Sequence, residues 1–120
     1  MVSKREIGDV AEILAQNHLK KMGFRILETN WYSGHLEIDI IALDGEELVI
    51  VEVKSRNGVS YEHPSEAVTE KKIKNLIEAA EAYILKNDID NETRFDVITI
   101  IFFDKNYELE HFKDAFNPTL

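Results

Sequence analysis

Residues 35–54 read His35-Leu-Glu-Ile-Asp39-Ile-Ile-Ala-Leu43-Asp44-Gly45-Glu-Glu47-Leu48-Val-Ile-Val-Glu52-Val-Lys54. Two β-rich runs flank an Asp44-Gly45 turn signal, the pattern of an antiparallel hairpin. Strict alternation puts Leu36, Ile38 and Ile40 on one face of the first strand and Glu37, Asp39 and Ile41 on the other. In the second strand Val49, Val51 and Val53 share a face, with Leu48, Ile50, Glu52 and Lys54 opposite. A four-residue loop from Asp44 to Glu47 pairs Leu43 with Leu48 and sets Asp39 against Glu52. A two-residue loop, Asp44-Gly45, pairs Leu43 with Glu46 and sets Glu37 against Glu52. Either even loop gathers Glu37, Asp39, Glu52 and Lys54 on one face, whereas an odd loop without a bulge separates them. Opposed carboxylates at roughly 4.5–5.5 Å between Cβ atoms repel unless a proton or cation intervenes. The stretch reads as a metal site.

Outward from the hairpin, Lys4 to Met22 carries a helical period, with Ile7, Ala11, Leu14, His18 and Met22 as its apolar stripe. Glu12 borders that stripe, in line with Ala15 and Leu19. A lone helix acid is most often solvated, and Gly23 ends the helix as a C′ glycine. Phe24 to Trp31 predicts a strand, and Asn30 to Gly34 a turn into the hairpin. Trp31 and Tyr32 could stack on bases, although a wedge over the end of the core is the commoner role.

After Lys54 the polar loop Ser55 to Pro64 has a length associated with function. Its second residue, Arg56, lies on the face of Lys54 if the strand continues and is a candidate phosphate contact. Ala67 to Lys86 predicts a second helix, N-capped by Thr69 and with Ile73, Leu76, Ile77, Ala80, Tyr83 and Ile84 as its core stripe. Lys71, Lys72 and Lys74 crowd its first turns, where the helix dipole disfavours cations, and a polyanionic partner would account for them. Arg94 to Phe103 predicts a central strand, apolar on both faces from Val97, with Asp96 suited equally to an ion pair with Arg94 or Lys72 and to chemistry. Asp104-Lys-Asn106 then turns into a last strand, Tyr107 to Phe112, and Asp114-Ala-Phe116 closes the core.

The chain has 120 residues, 44% of them hydrophobic, which suits one globular domain spanning 1–120. It has no cysteine, which excludes disulfides and fits a cytoplasmic setting. No run approaches the roughly 18 apolar residues of a membrane span, so no membrane partner is expected. A net charge of −9 argues against simple coating of DNA, but a cation held by carboxylates inverts the local field.

Asp39 followed by Glu52-Val53-Lys54 resembles the PD-(D/E)xK nuclease signature, an acid on one strand and acid-x-Lys on the next. More narrowly, Leu36-Glu-Ile-Asp-Ile-Ile-Ala and Val51-Glu-Val-Lys-Ser-Arg resemble the YraN family of uncharacterised bacterial proteins, themselves similar to archaeal Holliday junction resolvases. Glu12, Lys72 and Arg94-Phe-Asp96 match as well, and the similarity runs from Gly8 to Phe116. The resemblance implies an α/β domain of restriction-endonuclease-like fold, a mixed β-sheet flanked by two helices in the order αβββαββ. It also implies a metal-dependent endonuclease acting on DNA, more than on RNA, with branched or otherwise structured DNA among the substrates the resemblance suggests. On that footing Asp39, Glu52 and the Val53 carbonyl would bind Mg²⁺ or Mn²⁺, with Glu37 a further candidate ligand. Glu12 would act through a bound water. Lys54 would position or deprotonate the attacking water, while Lys72, Arg56 and Lys71 would contact phosphate. Junction resolution would call for two active sites and hence a homodimer. The alternatives are a non-cleaving nucleic-acid-binding module of the same fold and an adaptor that binds a protein through its acidic surface.

Overall fold

The computed structural model describes residues 3–58 and 68–117, and in it the run 36–54 forms a hairpin with a two-residue connection. Along the chain the described elements are α1 (Lys4–Lys21), β1 (Arg25–Ser33), β2 (Leu36–Asp44), β3 (Glu47–Asn57), α2 (Glu70–Lys86), β4 (Thr93–Phe103) and β5 (Asn106–Phe112). In space the five strands lie in the order β1-β2-β3-β4-β5, which the expected list of elements did not specify. All neighbours are antiparallel except β3 and β4, which run parallel from Leu48↔Thr93 to Asn57↔Phe102. A parallel pair needs a long crossover, and α2 lies within it. The result is a mixed α/β sheet with a helix on each face.

Two apolar clusters sandwich the sheet. On the α2 side Ile38, Ile41, Leu48, Ile50, Phe95 and Val97 pack beneath Leu76, Ala79, Ala80 and Tyr83. On the α1 side Ile40, Ala42, Val49, Val51, Ile98 and Ile100 pack beneath Ala11, Ala15 and Leu19. Strand β4 is buried continuously from Phe95 to Ile101 because it contributes to both clusters, as its unbroken apolar run requires. Trp31 joins the α2-side core edge-on to Tyr83, with ring centroids 5.1 Å apart, so it is a wedge. Phe116 stacks on Phe95 at 5.1 Å and closes the same core.

Both helices begin on a hydroxyl cap: Ser3 accepts from the Glu6 N–H at 3.1 Å and Thr69 from the Lys72 N–H at 3.2 Å. The expected start of the second helix, Ala67, lies outside the described residues, as does most of the polar loop after Lys54. The stripe of α1 is rotated from the expected one. Ala11, Ala15 and Leu19 are its buried residues, whereas Met22 is 54% exposed. Two alanines let the helix backbone approach the sheet closely, and that turn carries Glu12 toward the core.

The hairpin pairs Leu43 with Leu48 and Asp44 with Glu47, leaving Gly45 and Glu46 as the turn. Gly45 supplies the positive φ (+62°) that a tight turn demands. This is the register of the first alternative, but the strict alternation fails upstream. Asn30 adopts a left-handed backbone (φ +50°) at the register position opposite Asp39, between the pairs Thr29↔Ile40 and Trp31↔Ile38. Asn tolerates that conformation better than most residues. Across this rung the faces exchange: Ile38 packs on the α2 side and Ile40 on the α1 side, so Leu36, Ile38 and Ile40 do not share a face. Strand β1 also continues to Ser33, and the turn expected over Asn30–Gly34 is confined to Gly34-His35.

Candidate metal centre at the strand fork

Strands β2 and β3 are paired only as far as Ile40↔Val51. Beyond that rung β2 stays with β1, through Ile38, Glu37 and Leu36, while β3 stays with β4, through Glu52 to Asn57. The sheet forks there, and the irregular Asn30–Asp39 rung stands at its mouth. The Val53 N–H finds no β2 carbonyl and donates instead to Asp39 Oδ2 at 2.8 Å. A side chain thus completes the backbone accounting that a buried strand requires.

Glu52 follows Leu48 and Ile50 onto the α2 side and is 3% exposed; Asp39 is 8% exposed. Glu52 Oε2 lies 3.6 Å from Lys72 Nζ, and its Oε1 is buried with no hydrogen-bond partner. Burial pushes Glu52 up to about 8, assisted by the Asp39 charge and a hydrogen bond shared with it, against the pull of Lys72 and Lys54. Glu12 approaches from α1. Burial and the charges of Asp39 and Glu37 raise it to about 7, opposed by a hydrogen bond with Asn30. Glu37 accepts from Tyr32, its cross-strand neighbour, and this holds the phenol above its ordinary value. Asp39 is therefore the group common to two acidic neighbourhoods, Glu52 on the α2 side and Glu12 with Glu37 on the α1 side. The expectation that Glu37, Asp39, Glu52 and Lys54 gather on one face is replaced by this split, because the alternation breaks at Asp39.

The donor set suits a hard divalent cation. Mg²⁺ is typically held by one or two carboxylates and keeps several waters, and here two buried carboxylates are in contact with one oxygen lacking a partner. Among the described residues no three His, Asp or Glu side chains are grouped so as to hold a metal ion. Lys54 is half-buried, two residues beyond Glu52 and close enough to lower its pKa. Lys71 is exposed; Arg56 is also exposed and lines a groove with Lys4, Ile7, Ser55 and Asn57. Lys72, expected to face phosphate, instead turns inward to Glu52.

The raised acids make a stability prediction. Their folded-state values lie above the ordinary 4.5, so the protonated carboxyls stabilise the fold fully below that pH. The contribution is lost as pH rises through about 7 and about 8. In chelator, the unfolding free energy is expected to fall by roughly 2–4 kcal/mol between about pH 5 and 9, mostly through the more buried Glu52. Glu52→Gln should flatten that fall in urea titrations; an equal slope in the variant would assign the titration to other groups.

A second buried network contains the Arg94–Asp96 ion pair that the sequence left open, together with partners at Asp44, Glu47, His111 and His18 that were not legible there. Arg94 grips Asp96 with two bonds, Nε to Oδ1 at 2.8 Å and Nη2 to Oδ2 at 3.0 Å. Its Nη1 reaches Asp44 at 3.0 Å and Glu47 at 2.9 Å, beside the hairpin turn. His111 Nε2–H donates to Asp96 Oδ2 at 2.7 Å, which leaves His111 Nδ1, in the neutral ring, to accept from His18 Nε2–H at 3.0 Å. Burial alone would raise Asp96, but His111, Arg94 and the Asp114 N–H outweigh it and hold the carboxyl below its usual range. Arg94 is held above its ordinary value by the same carboxylate. Burial, then the charges of His111, Lys113 and Lys21, lower His18. Of the two roles open to Asp96, the structure shows the ion pair.

Fold and site together define a mixed α/β protein with a buried pair of carboxylates at a strand fork. The model of uncharacterised protein family UPF0102 matches residues 11–100, and the chain belongs to that family, the YraN family. A UPF0102 protein of Bacteroides thetaiotaomicron is 42% identical over 120 residues, covering 100% of this chain and 99% of the relative. One from Flavobacterium psychrophilum is 42% identical over 116 residues, 97% of this chain and 98% of the relative. One from Persephonella marina is 41% identical over 111 residues, 92% of each. No helix among the described residues is long and apolar enough to cross a membrane.

Proposed function

We propose that this protein is a divalent-cation-dependent endonuclease of DNA with a restriction-endonuclease-like core of the PD-(D/E)xK type. The observation that carries the reading is the contact between buried Asp39 and Glu52, one of whose oxygens has no partner. Two acids are not kept together out of water for stability, because their repulsion and desolvation both oppose folding. Asp39 and Glu52, with the Val53 carbonyl, would hold Mg²⁺ or Mn²⁺. When bound, the cation supplies Lewis acidity at a phosphoryl oxygen and a more acidic water. Lys54, on the Glu52 side of the fork, orients the attacking water and holds positive charge against the phosphate in the transition state. Glu12, half-buried and raised toward neutrality, takes or returns a proton through water. Arg56 and Lys71, both exposed, meet phosphates flanking the scissile one. The sequence resemblance to Holliday junction resolvases would favour branched DNA, for which the working unit would be a homodimer in the cytoplasm.

The test is nicking of a panel of linear, flapped and four-way DNA and matched RNA, with Mg²⁺ and with chelator, beside Asp39→Ala. Metal-dependent scission of DNA, lost in Asp39→Ala, is expected. Metal-dependent binding without scission would favour the non-cleaving module. Scission that survives in Asp39→Ala would sink the fork as the active site.

A further inference from the structure

Resting on that reading, we infer that the Lys72 ammonium is a tethered counter-ion for Glu52 that competes with the divalent cation and swings toward substrate phosphate when the cation enters. It is a positioning residue, acting through Glu52. Three features of the geometry separate it from an ordinary structural ion pair.

The first is that the contact is loose. Lys72 Nζ stands 3.6 Å from Glu52 Oε2, beyond hydrogen-bond range, whereas Arg94 grips Asp96 by two bonds at 2.8 and 3.0 Å. The second is that neutralisation is incomplete. Glu52 Oε1 stays buried without a partner, so one ammonium leaves half of the carboxylate unanswered. The third is location. Lys72 stands in the first turn of α2, three residues after the Thr69 cap, where the helix dipole disfavours a cation. Its side chain is 34% exposed, against 3% for Glu52, so its flexible stem reaches water at the rim of the fork without any backbone change.

The sign of the competition follows from charge. Removing one positive charge beside Glu52 strengthens its attraction for a divalent ion twice as much as for a proton. Apparent metal affinity therefore rises even where a proton takes over as the competitor. The neighbours that set this balance are Asp39 and Lys54, and both remain in place.

The test uses the whole chain without DNA, and Ca²⁺ as the metal. Calorimetric Kd is measured for the wild type, Lys72→Met and Lys72→Arg. Lysine acetylation by an N-hydroxysuccinimide acetate is mapped by peptide mass spectrometry, with and without Ca²⁺, on the wild type and on Asp39→Ala. Lys72→Met is expected to bind Ca²⁺ about tenfold more tightly, after discounting for the partial exposure of the lysine. Lys72→Arg, which keeps the charge, should stay within about threefold of the wild type. In the wild type, Ca²⁺ should raise acetylation of Lys72 severalfold, and this rise should vanish in Asp39→Ala. The labelling arm needs no Lys72 variant to fold. Ca²⁺ binding with an unchanged or weaker Kd in Lys72→Met, or protection of Lys72 by Ca²⁺, overturns the inference and leaves the nuclease reading standing. A wild type that binds no Ca²⁺ overturns both.

Discussion

Lys54→Ala is expected to slow scission of bound DNA by roughly two to four orders of magnitude while leaving affinity close to that of the wild type. Lys54 is a single half-buried charge whose field lowers the pKa of Glu52. Such a group contributes where charge develops during reaction, and little to the sum of phosphate contacts that sets binding. Single-turnover cleavage at saturating protein measures the first quantity, and affinity in Ca²⁺, which suppresses cutting, measures the second. A proportional loss in both would make Lys54 a binding residue. Lys54→Arg should not restore the rate, because a bulky planar guanidinium cannot take the place of a compact ammonium that orients a single water.

The other large effect belongs to the far end of the hairpin. Arg94→Met should destabilise the fold by about 3–5 kcal/mol at neutral pH, the range for removing one partner of a buried ion pair. Asp96, with no exposed side-chain surface, would lose two charge-assisted bonds. Asp44 and Glu47 would lose the cation that offsets their closeness at the turn. Equilibrium unfolding in urea reads the change directly. The pH dependence gives an independent check. Asp96 is held below its ordinary 3.8, so its contribution is complete above that value and disappears as pH falls through the depressed folded-state value. Wild type should lose this stability only as pH falls below the ordinary Asp value of 3.8, and Arg94→Met should have already lost most of it at neutrality. A change of less than about 1 kcal/mol would show that the network is solvated in solution.

Much of the local architecture was legible because it is encoded over a few residues. Alternation and the Asp44-Gly45 signal were enough for the hairpin and one of its two candidate registers. Thr69 and the 3.6 period placed the second helix, and the unbroken apolar run of β4 marked it as interior. The closeness of Asp39 and Glu52 followed from strand adjacency, since residues flanking a hairpin rung are neighbours whatever packs above them. That much was available from the order of residues and the stereochemistry of strands and turns.

What the order of residues left open was decided by packing over long separations. Asn30 in a left-handed conformation, matched against Asp39 on the adjacent strand, breaks the alternation of both strands at one rung. No period-two reading contains that information, because it depends on two distant segments yielding together. The rotation of α1 depended on how closely Ala11 and Ala15 could approach the sheet. His18 and His111 meet across 93 positions, and Arg94 reaches Asp44 across 50. Lys72 faces Glu52 because a buried carboxylate draws the nearest cation inward, which outweighs the preference of a helix-terminal lysine for water. Local stereochemistry thus determined the elements and brought the two acids together. Only the tertiary structure, through the competition of buried charges for partners in a low dielectric, decided which face each side chain took and which charges it met.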